Sequence, residues 1–107
     1  MRNDRERLLD IKEAMENIKK YSVKGKGAFE KEELVQNWIV HHLQIIGEAA
    51  ARLSEDFQEQ HSEIPWFKII GMRNILVHDY FRIDINAVWS VIENDLPLLE
   101  RFIETAL

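Results

Sequence analysis

Apolar residues recur along this chain with the spacing of helices rather than with the alternation of strands. The pattern predicts an all-α fold, an antiparallel bundle of four to five helices. The chain contains two Pro and four Gly, and no linker, repeat or low-complexity tract divides it. At this length we expect residues 1–107 to form one domain with a modest core.

Two helices are predicted in the first half of the chain. The first runs from about Asp4 to Tyr21 and carries an apolar stripe of Leu8, Ile11, Met15 and Ile18. Residues 22–27 contain two Gly and are predicted to form the loop that ends it. A long second helix is predicted from about Phe29 to His61. Its apolar residues include Leu34, Trp38, Ile45 and Leu53.

The centre of this second helix is rich in small residues, from Gly47 to Ala51. A Gly inside a helix costs about 1 kcal/mol relative to Ala. We therefore predict a packing or kinking role for Gly47, where the small residues let another helix approach closely.

Two further helices are predicted in the second half. Pro65 suits a first helical position and opens a third helix that reaches about Tyr80. Asp84 is a candidate N-cap for the last helix, whose apolar positions are Ile85, Val88, Trp89 and Ile92. Pro97 is expected to break or kink that helix after Asp95, which is available to cap the continuation.

Composition narrows the class of protein. The net charge is −5, which argues against a broad basic surface that grips nucleic acid by charge alone. The absence of Cys excludes disulfides and Cys-based metal sites. No apolar run is long enough to span a membrane, and the N-terminus lacks the apolar core of a signal peptide. We expect a cytoplasmic protein that uses only a local cationic cleft for any RNA.

The third helix carries the most informative residues. Arg73, Asn74, His78 and Tyr80 interrupt a segment that is otherwise largely apolar. Buried polar groups need partners or a wet pocket, so these four are poor candidates for ordinary surface residues. Arg binds anions, and His, with an ordinary pKa of about 6.5, moves protons near neutral pH. The pattern Arg-x4-His-x-Tyr therefore favours phosphodiester chemistry.

Helical geometry divides these residues between two faces. Asn74 and His78 are i,i+4 neighbours, so the amide can orient the imidazole. Arg73 and Tyr80 point within about 20° of each other, whereas Arg73 and His78 point about 140° apart. Side chains that leave one helix in such different directions do not readily contact the same phosphate. We therefore favour two copies of the helix that meet across a two-fold axis and pool their side chains.

Each candidate residue also has a simpler interpretation. Arg73 can pair with a carboxylate such as Glu48 for structural reasons alone. His78 can be a satisfied core histidine or a favourable cation near a helix end. Tyr80 can be a half-buried aromatic with a hydrated hydroxyl. His41 and His42 lack a clear third ligand, so no metal site is predicted.

The motif belongs to a longer set of matching segments. In chain order these are Leu43-Gln44-Ile45-Ile46-Gly47-Glu48-Ala49-Ala50, Ile64-Pro65-Trp66, Ile69-Ile70-Gly71-Met72-Arg73-Asn74, Val88-Trp89 and Asp95-Leu96-Pro97. Over about residues 4–105 the sequence resembles the HEPN superfamily and, within it, the HepT-like group of bacterial and archaeal toxins. Arg-x4-His alone is a weak signal, and the ordered flanking segments make it specific.

The resemblance implies a helical homodimer with a composite ribonuclease site that needs neither metal nor cofactor. Arg73 and His78 would be the catalytic pair, with Asn74 the polar residue that commonly follows the motif Arg. A MntA-like nucleotidyltransferase antitoxin would silence the toxin by transferring AMP to Tyr80, as in a type VII-like toxin–antitoxin pair. One position departs from the pattern, since His42 stands where an Asn is expected.

Three functions follow from these observations. The first is the ribonuclease toxin, in which Glu48 helps to order the site across the helix pair. The second is a non-catalytic HEPN binding partner of a minimal nucleotidyltransferase, which the acidic composition favours. The third is a structural dimer without chemistry, in which Arg73 and His78 are replaceable by apolar residues.

Overall fold

The computed structural model describes residues 3–74 and 84–107, and every regular element in these two ranges is helical. The prediction of an all-α fold is confirmed. The elements are α1 (Asp4–Ser22), α2 (Lys26–Lys31), α3 (Glu33–Ala51), α4 (Glu55–Gln60), α5 (Trp66–Gly71), α6 (Ile85–Ser90), a π-helical segment (Val91–Asp95) and α7 (Leu96–Ala106). None of these helices combines the length and apolar character needed to cross a bilayer.

The core forms chiefly between α1 and α3, and α3 in turn packs against α5. The predicted stripe of α1 is buried throughout. On α3 the large buried apolar side chains are Val35, Ile39, Leu43 and Ile46. Leu34 is instead 85% exposed, so the apolar series predicted from it is out of phase by one residue at the start of the helix.

The single long helix predicted from Phe29 to His61 is wrong. Helix α2 overlaps the start of this range, α4 lies near its end, and α3 lies between them. Phe29 is fully buried and anchors α2, which begins after Gly25, the one described residue with a positive φ, of 90°. Part of the loop predicted at 22–27 is therefore helical.

A local cap explains the second break. The Ser54 hydroxyl accepts a hydrogen bond from the backbone N–H of Phe57 at 3.1 Å and so begins α4. The carboxylate of Asp4 in turn accepts from the Ser54 backbone N–H at 2.8 Å and from its hydroxyl at 2.7 Å. Periodicity alone does not reveal this contact, because Asp4 is distant in sequence.

The last helix is continuous rather than broken. Asp84 caps it as predicted and accepts from the Ala87 N–H at 3.0 Å. Pro97 has no N–H to donate, and the path just before it widens into a π-helical turn in which the Leu96 N–H bonds to the Val91 carbonyl. The prediction that Asp95 caps a new helix is wrong, since its side chain makes no cap hydrogen bond.

Helix α5 begins at Trp66, with Pro65 as the residue just before it rather than its first member. The helix ends at Gly71, and residues 72–74 form a turn. The part of the predicted third helix that carries His78 and Tyr80 lies outside the described residues. Trp66 and Trp89 are buried.

Candidate functional site

Arg73 is held in place by the end of α5. Ile69 and Met72 are almost fully buried and fix this helix in the core. Beyond them the chain tightens, with the Arg73 N–H bonded to the Ile70 carbonyl at 3.2 Å and the Asn74 N–H bonded to the Gly71 carbonyl at 3.0 Å. Because the backbone is anchored on one side and tightly turned on the other, the Arg73 side chain leaves a defined point on the bundle.

That point lies directly against α3 at Gly47. A Cβ atom on Gly47 would be 2.5 Å from the backbone nitrogen of Arg73 and 3.1 Å from its Cα. Real Cβ atoms do not approach backbone atoms that closely. The close approach predicted from the small residues of α3 is confirmed, and its partner is the first residue of the motif.

The Arg73 guanidinium reaches Glu48, the residue of α3 that follows Gly47. Its Nη1 lies 3.8 Å from Oε1 of Glu48, and Oε2 of that carboxylate lies 3.9 Å from Nε of Arg52. The side chains of Arg73 and Glu48 are 39% and 53% exposed. An exposed pair at this distance contributes about 0–1 kcal/mol. The predicted pairing is present, and it is loose enough for a bound anion to compete with it.

Only some of the other residues of the predicted site lie within the described ranges. Asn74 is exposed at the end of the turn. His78 and Tyr80 fall within residues 75–83, outside the described residues. Their convergence with Arg73 stays a prediction.

The two histidines of α3 differ in burial, although their rings lie 5.1 Å apart. His42 is buried, its Nδ1 lies 2.8 Å from the Trp38 carbonyl, and its ring packs 4.5 Å from the Trp38 ring. His41 is exposed. Within residues 3–74 and 84–107 no group of three His, Cys, Asp or Glu side chains is placed to hold a metal ion.

Sequence reasoning missed a shallow groove that adjoins this site, between α1 and α3. Its volume is about 240 Å³, and it is lined by Arg7, Asp10, His41, Gln44, Ile45, Glu48, Ala49 and Arg52. Glu48 belongs to both the groove and the Arg73 pair. The available signal was the spacing of His41, Gln44, Glu48 and Arg52, which places them on one face of a helix.

A second ion pair joins α5 to the π-helical segment. The Lys68 ammonium donates to Oδ1 of Asp95 at 3.1 Å, in the π-helical segment. The Asp95 side chain is only 11% exposed, and its Oδ2 has no hydrogen-bond partner among the described residues. Lys68 is therefore the partner of a largely buried carboxylate, five residues before Arg73.

Comparison with known proteins finds relatives that are named as ribonucleases. A protein of Caldanaerobacter subterraneus subsp. tengcongensis named "Putative RNase" is 38% identical over 74% of this chain and 70% of its own length. A Thermococcus cleftensis protein named "Probable ribonuclease HepT" is 34% identical over 92% of this chain and 91% of its own. No solved structure matches with comparable significance. The family model described as "Ribonuclease HepT-like" matches residues 11–106. The chain belongs to the ribonuclease HepT-like family.

Proposed function

We propose that this protein is a metal-independent endoribonuclease, the toxin of a type VII-like toxin–antitoxin pair. Family membership and the ribonuclease names of its relatives support the enzyme class. The sequence motif Arg73-x4-His78-x-Tyr80 supports the location of the chemistry. The acidic composition favours local phosphate binding over a broad basic surface.

The observation that carries the proposal is that Arg73 combines a fixed backbone with an accessible guanidinium. Its backbone is fixed against Gly47, whereas its guanidinium is partly exposed and engaged only loosely by Glu48. A phosphate offers a planar guanidinium two charge-assisted hydrogen bonds, which are stronger than one long contact to an exposed carboxylate. The guanidinium is therefore accessible to a phosphate and free to exchange Glu48 for it.

The proposed reaction is transesterification within the RNA chain. A general base takes the proton of a ribose 2′-hydroxyl, and the 2′-oxygen attacks the adjacent phosphorus. The bond to the 5′-oxygen breaks, and a general acid protonates that leaving group, which leaves a 2′,3′-cyclic phosphate. His78 would serve in one role and His78 of the partner subunit in the other. Arg73 would bind the phosphate and stabilise its developing charge.

A homodimer is part of the proposal because the reaction needs a general base and a general acid, and one motif contains a single His. The exposed face of α5 supports such an interface. Phe67 is 95% exposed, and Asn74, in the turn that follows α5, is exposed as well. A Cβ on Gly71, between them, would meet nothing within 4 Å. An exposed aromatic on the segment that leads into the motif suits a two-fold contact there.

Regulation is proposed to act on Tyr80. Transfer of AMP from ATP to its hydroxyl by a MntA-like nucleotidyltransferase antitoxin, with release of pyrophosphate, would put a phosphate and a nucleoside beside the site. The added charge would compete for Arg73, and the added bulk would exclude RNA. Incubation with such an enzyme and ATP should add one AMP per chain by mass spectrometry, and Tyr80→Phe should abolish it. Addition that persists in Tyr80→Phe would contradict the assignment.

Cleavage of RNA by the purified protein in EDTA tests the central claim. Wild type should cut, while Arg73→Ala and His78→Ala should each lose about 10²-fold or more. Both variants should keep the wild-type helical content and oligomeric state, so that lost folding is not mistaken for lost chemistry. If no form cleaves tRNA or mRNA but the chain binds a nucleotidyltransferase, the non-catalytic binding partner is the better description.

A further inference from the structure

The groove between α1 and α3 gathers cationic and hydrogen-bonding side chains in a chain whose net charge is −5. Arg7 contributes from α1, and Arg52 contributes from the end of α3. His41 and Gln44 continue the lining along α3, above a floor of Ile45 and Ala49. From residue 41 to residue 52 this face of α3 extends about 16 Å at ~1.5 Å per residue.

The groove opens onto the Arg73 site through Glu48. That carboxylate lies 3.8 Å from Arg73 and 3.9 Å from Arg52, so its charge is shared between two guanidinium groups. The charged groups that line the groove are Arg7, Asp10, Glu48 and Arg52, whose formal charges cancel, and Arg73 at its edge adds one positive charge. The described groove lining and Arg73 together therefore carry one net positive charge.

We propose that this groove binds the phosphates of the single RNA strand that flanks the scissile phosphate at Arg73. The proposal rests on the proposed ribonuclease function and adds its substrate-binding surface. Guanidinium groups bind phosphate with two hydrogen bonds, and the Gln44 and His41 side chains offer hydrogen-bond partners for ribose hydroxyls. The apolar floor offers a surface on which the faces of sugars and bases can pack. An acidic protein surface would not offer such a surface.

Binding of the flanking phosphates stabilises the bound substrate and the transition state equally. Removal of a groove cation should therefore raise KM and leave kcat unchanged. It should also weaken the salt dependence of binding, by a slope of about 0.7 for each phosphate of the single strand that is no longer neutralised. A residue that only stabilises the fold would change neither quantity in this way.

The test combines cleavage kinetics with binding of a 2′-O-methyl RNA, which lacks the attacking hydroxyl, measured by anisotropy over a range of salt. Arg7→Gln and Arg52→Gln should each raise KM and Kd by roughly 3–10-fold, with kcat within about 2-fold. Arg7→Lys and Arg52→Lys keep the charge and should recover most of the salt slope. The matched control is Arg101→Gln, which removes an exposed arginine of α7 that does not line the groove.

One variant predicts a gain that misfolding cannot imitate. Gln44→Lys adds a cation in the middle of the groove, so RNA should bind more tightly and with a steeper salt slope. If wild type cleaves RNA while the Arg7, Gln44 and Arg52 variants all behave like the Arg101 control, the groove proposal fails and the ribonuclease stands. If wild type neither cleaves nor binds RNA, both fail. If the groove variants lose only the binding of a nucleotidyltransferase, the groove is a protein interface. The proposal that it binds RNA would then be wrong.

Discussion

The backbone nitrogen of Arg73 lies 2.5 Å from the point that a Cβ atom on Gly47 would occupy. The absence of a side chain at Gly47 therefore sets how closely the first motif residue approaches α3. Glu48, the next residue along the helix, reaches the guanidinium of the same Arg73. Two adjacent residues of α3 thus position the backbone and the side chain of Arg73 separately.

Gly47→Ala should lower both stability and activity. Ala gains about 1 kcal/mol of helix propensity over Gly, but here its methyl group would displace the Arg73 backbone, and overpacking of this kind costs about 1–3 kcal/mol. We expect a net loss on urea denaturation at fixed protein concentration and a lower rate of RNA cleavage.

Gly27→Ala is the matched control for that substitution. Gly27 lies in α2, and a Cβ placed on it would meet nothing within 4 Å. The same change should therefore be neutral or stabilising there, by up to about 1 kcal/mol. Equal effects at both positions would contradict the close-approach explanation.

Glu48→Gln should separate affinity from catalysis. The loss of a negative charge beside Arg52 and Arg73 should tighten RNA binding and lower KM. The weaker orientation of Arg73 should lower kcat by roughly 5-fold, which corresponds to about 1 kcal/mol. Stability should change by less than about 1 kcal/mol, because the pair is exposed. Steady-state kinetics would contradict this prediction if kcat were unchanged.

Lys68→Ala should destabilise the protein more than an ordinary surface substitution does. It would leave the largely buried Asp95 carboxylate without its cationic partner, at a cost of about 1–3 kcal/mol. Lys12→Ala, at an exposed position within α1, should stay within about 0.5 kcal/mol of wild type. The double variant Lys68→Ala/Asp95→Leu should recover part of the loss in thermal denaturation. An additive double variant would show that the two residues are not coupled.

Phe67→Glu should weaken the proposed dimer without harming the fold. The ring is 95% exposed, so its replacement costs little within one chain, whereas two opposed carboxylates at a two-fold contact repel each other. Sedimentation over a range of concentrations should show a higher dissociation constant, with a parallel loss of RNA cleavage. Leu34→Glu is the control, an 85% exposed apolar residue at the start of α3. A stable Phe67→Glu dimer would exclude this face as the interface.

The sequence alone was sufficient for the features that depend on local spacing. The stripe of α1, the cap at Asp84 and the small-residue contact point at Gly47 all agree with the structure. Each follows from residues within a few turns of one another, where helical periodicity and capping chemistry dominate. The motif at Arg73, His78 and Tyr80 is likewise a property of sequence, and its assembled geometry stays a prediction.

The tertiary structure decided what depends on contacts distant in sequence. Asp4 holds the Ser54 cap that divides the predicted long helix, and Asp95 pairs with Lys68 instead of capping α7. Arg7 joins Arg52 in one groove although 44 residues separate them along the chain. Periodicity gives the face on which a residue lies, whereas packing chooses its partner, because the free energy of an ion pair or cap depends on which element covers it.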